Sequence, residues 1–208
     1  MYDFSAFCQL HPELKGCQPS LERAVEAIVN AVKGGGKLLL AGSGGSAADC
    51  EHIAGELLKE FRIRRRRDPF FDDAFSRMFP DDGALLKALA PGIPAVSLTG
   101  GVAINTALLN DVGAEVLFAQ KLYALARPQD VFLAVSTSGN SAMLIAALKV
   151  AKVLGVKTIA LTGDGGGKMK NFCDILITVP QKETYLVQEL HLPVYHQLCA
   201  AVEEELFG

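Results

Sequence analysis

At 208 residues the chain is long enough for one domain with a sizeable core, and half of its residues are hydrophobic while 21% are charged, an ordinary globular composition. The net charge of −3 is spread along the chain. It gives no basic surface for nucleic acid, and no run approaches the ~20 apolar residues that span a bilayer. Five cysteines without a CxxC pair argue against a disulfide scaffold or zinc knuckle and for a reducing compartment. Residues 1–10 lack the basic start and apolar stretch of a signal peptide, so the expected location is cytoplasmic.

In chain order, Leu21 to Val32 carries apolar residues at helical spacing and stops at Gly34 to Gly36, which predicts a helix. Lys37 to Ala41 is an apolar run bounded by glycines, a buried strand, and Ala47 to Phe61 reads as a helix. Arg62 to Pro94 is polar and proline-bearing, a surface excursion with a helix over 82–89. Its basic run, Arg64 to Arg67, is followed at once by Asp68, Phe70, Phe71, Asp72 and Asp73, and reads as a solvated, locally paired turn. Pro94 to Thr99 is a second strand and Thr106 to Ala126 a helix. Asp130 to Val135 is a third strand, followed by a polar loop and a helix ending at Leu154. Val156 to Thr162 and Ile175 to Val179 complete five strands, and Thr184 to Leu206 closes the chain as a helix with Pro193 inside it. Apolar strands alternating with helices imply an α/β fold, its parallel sheet covered on both faces and its ligands held beyond the carboxyl ends of the strands.

Two of those carboxyl-end loops have anion-binding chemistry. In Gly42-Ser43-Gly44-Gly45-Ser46 the glycines bring backbone N–H groups close to a ligand at a helix N-terminus, and the serines add hydroxyls. Gly42, Gly44 and Ala47 also fit a relaxed dinucleotide pattern. That reading wants an acidic residue about 20 residues on, at the end of the next strand, where this chain has Thr99-Gly100-Gly101. The absence of GK[ST] excludes a nucleotide P-loop, and no nucleotide cofactor is expected. The second loop, Ser136-Thr137-Ser138-Gly139-Asn140-Ser141, holds four hydroxyls where one helix cap needs one, and suits a phosphate dianion. The Thr162 to Gly167 loop reads as a simple turn.

His52 and Glu56 lie four residues apart and share a helix face. Gln188, Leu192 and His196 form an i, i+4, i+8 line on the last helix, with His191 and Tyr195 on neighbouring faces. Such groups can relay protons, a carboxylate of raised pKa as base and an imidazole as acid. They can also hold zinc. Spacing leaves both open.

The stretch from Ala41 to Leu57 resembles the first motif of the phosphoheptose isomerases, a family built on the sugar isomerase (SIS) fold. Asn110 to Glu115, Asp130 to Ser141, Leu161 to Lys168 and Gln188 to His196 resemble its other signatures, in the same order. The resemblance implies a single SIS domain over 1–208, a three-layer sandwich with a five-stranded, mostly parallel sheet. An N-terminal helical segment (about 1–33) and an insertion (about 62–94) accompany it. It implies an aldose–ketose isomerase converting sedoheptulose 7-phosphate to D-glycero-D-manno-heptose 7-phosphate through an enediol, for lipopolysaccharide precursors. Glu56 would be the catalytic base and His196 the acid. Ser43, Gly44, Gly45, Ser46, Ser136, Thr137, Ser138 and Ser141 would bind phosphate, with Asp111 and Gln188 on the substrate. His52, Glu56, Gln188 and His196 match positions that hold zinc in some members. The resemblance further implies a homotetramer with sites at subunit interfaces, and neither nucleic acid nor membrane as partner. Ser43, Gly101 and Leu186 stand where the family usually carries Asn, Asp and Arg. Two other readings share the architecture: a non-catalytic phosphosugar-binding or replication-initiator-associated protein, and an isomerase of another sugar phosphate.

Overall fold

In the computed structural model, which describes residues 2–208, the five apolar runs become strands β1 (Leu38–Gly42), β2 (Ala95–Ser97), β3 (Val131–Ser136), β4 (Lys157–Thr162) and β5 (Ile175–Thr178). They form one sheet in the order β2-β1-β3-β4-β5, and every neighbouring pair is parallel. The expected "mostly parallel" sheet is thus wholly parallel.

Nine α-helices occupy the described residues: α1 (Ser5–Leu10), α2 (Gln18–Lys33), α3 (Gly45–Leu58), α4 (Pro69–Met78), α5 (Gly83–Ala88), α6 (Val102–Asp111), α7 (Leu117–Leu125), α8 (Ala142–Val153) and α9 (Thr184–Phe207). The strands read as unbroken apolar runs because both faces are buried. Alternate residues supply the two layers. Leu38, Leu40, Leu133 and Leu161 join the core formed with α2, α3 and α9. Leu39, Phe132 and Ala160 join the core formed with α7 and α8. Truncating any of the four leucines to alanine would cost about 2–5 kcal/mol.

Three expectations need correction. The helix predicted over 106–126 is two helices, α6 and α7, parted at Gly113, whose φ of +129° leaves the helical region, and by a short 3₁₀ turn, Ala114–Val116. A helix that the pattern did not mark appears at α4, where Asp68 accepts from the Phe70 N–H ahead of Pro69, whereas α1 and the 3₁₀ turn Pro12–Cys17 lie in the N-terminal helical segment. The basic run is not wholly solvated. Arg67 pairs locally with Asp72 at 2.6 Å, but Arg65 is buried against Glu203 at 2.9 Å. Its guanidinium also donates to the carbonyls of Leu57 and Pro91, and Glu203 accepts from the backbone N–H groups of Phe61, Arg62 and Ile63. A buried charge pair persists only when hydrogen bonds satisfy its remaining atoms, and here they do. Burial raises the Glu203 carboxyl, but these donors outweigh it and leave it below the usual range.

Candidate active site

After β1 the chain continues to β2 on one side of the sheet, whereas β3 pairs with β1 on the other. The strand order therefore reverses between β1 and β3, the place where open α/β sheets bind ligands. Gly42 pairs with Val135 in register, so the two serine-bearing loops emerge side by side at this point. In the first, Ser43, Gly44 and Gly45 are exposed, Ser46 is buried, and α3 starts at Gly45 with its free N–H groups at the loop. In the second, Ser136 is buried, Thr137 and Ser141 are half-buried, and Ser138 is exposed. The Ser136 hydroxyl accepts from the Gly139 N–H at 3.2 Å.

The Thr162 to Gly167 loop, read as a simple turn, buttresses the second loop. The Gly163 N–H donates to the Thr137 carbonyl at 2.9 Å, the Met169 N–H to the Gly139 carbonyl at 2.9 Å, and the Lys168 N–H to Asn140 Oδ1 at 3.0 Å. Gly139 has a φ of +62°, and a Cβ there would strike the Gly166 carbonyl. Glycine is required on both counts.

α3 and α9 pack against each other within the chain, so the acid–base residues meet without a second subunit. His52 Nε2 is 3.2 Å from Glu56 Oε1, and its ring meets that of His196 edge to face, 5.0 Å between centroids. Glu56 Oε2 also takes the Lys59 ammonium at 2.6 Å. Burial raises the Glu56 carboxyl, but Lys59 and His52 together outweigh it and leave it lowered, which corrects the expectation of a raised carboxylate. The group is therefore ionised at neutral pH, as a base must be. Burial lowers the His196 imidazole, the neighbouring His52 lowers it further, and Glu56 offsets part of this. The outer face of His196 opens on a cleft of about 350 Å³ bordered by Phe7, Leu10, Phe61 and Arg62.

Gln188 is brought to the first loop, its amide lying where Gly45 has no Cβ. Asp111 is not brought to the acid–base group. It ends α6, which packs on α7 and on the 3₁₀ turn Ala114–Val116, and its exposed carboxylate accepts from Asn110 Nδ2. Two further residues stand at the centre of the site. The Tyr195 hydroxyl lies 3.0 Å from His52 Nδ1, and Asp49 stands beside that hydroxyl. Burial raises the Asp49 carboxyl, with Tyr195 and His52 offsetting part of the rise. Asp49 shares the α3 face of His52 and Glu56 at i−3 and i−7, a spacing visible in the sequence.

For zinc, the four residues as arranged do not fit. Among the described residues no group of three His, Cys, Asp or Glu is placed to share an ion. No helix of the described residues is long and apolar enough to cross a membrane.

Comparison with known proteins agrees with this geometry. The SIS domain family matches residues 11–69 and 74–163. The chain is 37% identical to the phosphoheptose isomerase of Rhodospirillum rubrum, covering 98% of this chain and 97% of that one. It is 40% identical to that of Aneurinibacillus thermoaerophilus, covering 90% and 82%. The solved phosphoheptose isomerase of Neisseria gonorrhoeae superposes with a TM-score of 0.74 at 29% identity, covering 96% of each chain, and that of Francisella tularensis with 0.74 at 28%, covering 98% of this chain and 100% of that one. With its motifs, its sheet order and its near-complete coverage in agreement, the chain belongs to the phosphoheptose isomerase family of SIS-domain proteins.

Proposed function

We propose that the chain interconverts sedoheptulose 7-phosphate and D-glycero-D-manno-heptose 7-phosphate, an aldose–ketose isomerisation supplying heptose for lipopolysaccharide or related glycans. The observation that carries this reading is the placement of Glu56 and His196 around His52 on two packed helices, beside serine-lined loops at the sheet's switch point.

In the open-chain ketose, Glu56 takes a proton from C1, and the electron pair forms the C1=C2 bond of an enediol. His196, a neutral imidazole, gives a proton to O2 and receives one from O1. Glu56 then returns its proton to C2, leaving the aldehyde at C1. A neutral imidazole can both donate and accept, so no net charge accumulates on the acid. The hydroxyls of Ser46, Ser136, Thr137, Ser138 and Ser141 with the α3 N-terminus hold the phosphate, leaving C1 and C2 for the helices. Ser43, Gly44 and Gly45 shape the mouth of that loop, and Gln188 spans from it to the sugar.

The active assembly is a homotetramer on this proposal, with Asp111 reaching the substrate of a neighbouring subunit, because α6 carries it on an exposed, partly apolar surface (Val102, Leu109, Val112). The mechanism routes no step through zinc. Metal analysis of the purified protein tests whether zinc binds.

The functional test incubates the protein with sedoheptulose 7-phosphate in deuterated buffer. Deuterium enters the carbon beside the carbonyl with wild-type protein and fails to enter with Glu56→Gln. No exchange by wild-type protein with this substrate would refute the proposal.

A further inference from the structure

Among the described residues Lys121, on α7, is the lysine that the fold buries, at 9% exposed. An ammonium offers three N–H donors and accepts nothing. Here neutral oxygens take all three: the Leu98 and Gly100 carbonyls, each at 2.7 Å, and Asn105 Oδ1. With its oxygen turned to Lys121, the Asn105 amide donates from Nδ2 to the Thr99 carbonyl at 3.0 Å. Two side chains from α6 and α7 thus hold three successive carbonyls, those of residues 98–100, just beyond β2. Burial lowers the Lys121 ammonium, and no carboxylate offsets this. A buried charge without a counter-charge destabilises a fold, and an apolar side chain of the same length would serve the core better.

The segment that Lys121 holds lies beside the site. Leu40 pairs with Ser97 in register, so two residues further along Thr99 stands level with Gly42, and Gly100 comes next to the first anion loop. Thr99 Oγ1 donates to Glu51 Oε1 at 2.9 Å, on the helix that carries Glu56. Gly100 and Gly101 are exposed, and a Cβ on Gly100 would meet nothing within 4 Å. Among the described residues neither of their N–H groups has an acceptor.

We infer that Lys121 is a positioning residue for the isomerisation: by gathering the Leu98 and Gly100 carbonyls, and through Asn105 that of Thr99, it fixes the N–H groups of Gly100 and Gly101 as donors to the sugar. The serine loops take the phosphate and the helices take C1 and C2, so these donors serve the hydroxyls between the two ends. The inference rests on the isomerase reading given above.

The test separates the sugar from the phosphate. In Lys121→Met, which keeps the length of the side chain and removes its donors, KM for sedoheptulose 7-phosphate rises about 10-fold, as loss of a good hydrogen bond to the sugar would cause. There kcat stays within about two-fold, because binding rather than the proton transfers is weakened. The inhibition constant of inorganic phosphate also stays within about two-fold, since the serine loops keep their own hydrogen bonds. A merely structural role would loosen the whole site and move KM and the phosphate constant together. Amide hydrogen exchange read by mass spectrometry quickens over residues 99–102 and not over 136–141. Asn105→Ala, which removes the donor to the Thr99 carbonyl, raises KM about three-fold and decides the matter if Lys121→Met does not fold. Unchanged KM in the variant that folds, or a phosphate constant that rises with KM, overturns the inference. If wild-type protein turns the substrate over and Lys121→Met matches it, only the positioning role fails. If wild-type protein does not act on sedoheptulose 7-phosphate, the isomerase reading fails and the inference with it.

Discussion

The amide of Gln188 lies against the α-carbon of Gly45, in the space a Cβ would fill. The terminal helix thereby touches the first anion loop directly. In Gly45→Ala the methyl displaces a flexible side-chain end rather than backbone, so the fold tolerates it. KM for the sugar phosphate should rise about 10-fold, the loss of roughly one good hydrogen bond, with a melting temperature close to wild type. Steady-state kinetics alongside a thermal melt check this, and an unchanged KM would show that Gln188 does not serve the substrate.

Gly139 has no such slack. Its φ is +62°, and a methyl there meets the backbone of Gly166 rather than a side chain. Gly139→Ala should destabilise the protein by about 1–3 kcal/mol from backbone strain alone. It should also loosen the second anion loop, weakening inorganic phosphate as an inhibitor. Denaturant unfolding and inhibition constants measure the two effects separately.

The Arg65–Glu203 pair is buried on both sides, with side-chain exposures of 0% and 1%. Removing one member strands a charge, so Arg65→Met should cost about 3–5 kcal/mol. Arg65→Met with Glu203→Gln should recover part of that, because a glutamine oxygen in the place of Oε2 still accepts from the N–H groups of Arg62 and Ile63. A double variant no more stable than the single one would contradict this account.

His191 is fully buried, neither ring nitrogen has a partner in hydrogen-bond geometry, and burial pushes the imidazole down to about 4. Its folded value lies below the unfolded one of 6.5. On acidification the unfolded chain binds a proton before the native state does, so stability is full above pH 6.5 and falls as pH drops toward 4. At pH 5 the loss attributable to this residue is about 2 kcal/mol. His191→Gln should remove that part of the slope. Denaturant unfolding of both proteins at pH 7.5 and pH 5 gives the difference, and parallel slopes would refute it.

Strands, loops and the His52–Glu56 spacing were legible because each is local: an apolar run ends in glycine, or two residues share a helix face. What the sequence hid is decided at long range. Arg65 sits among four consecutive arginines, and only Glu203, 138 residues away, selects it for burial. Tyr195 reads as one more aromatic on an apolar helix until α9 packs on α3 and sets its hydroxyl against His52. The Thr162 to Gly167 loop looks like a turn because its hydrogen bonds go to a loop more than 20 residues earlier. The break at Gly113 was visible as a glycine, but the apolar residues on either side kept helical spacing across it.

Arg65 donates to the Leu57 carbonyl before the excursion and the Pro91 carbonyl after it, so one side chain fastens both ends of the detour that carries α4 and α5. The same guanidinium reaches the Glu56 carbonyl at 3.4 Å, so the clasp that closes the detour also steadies the turn of α3 that carries the base. Beyond the clasp the detour should accept a reporter peptide near Asp81, provided that Arg65 and its partners stay in place.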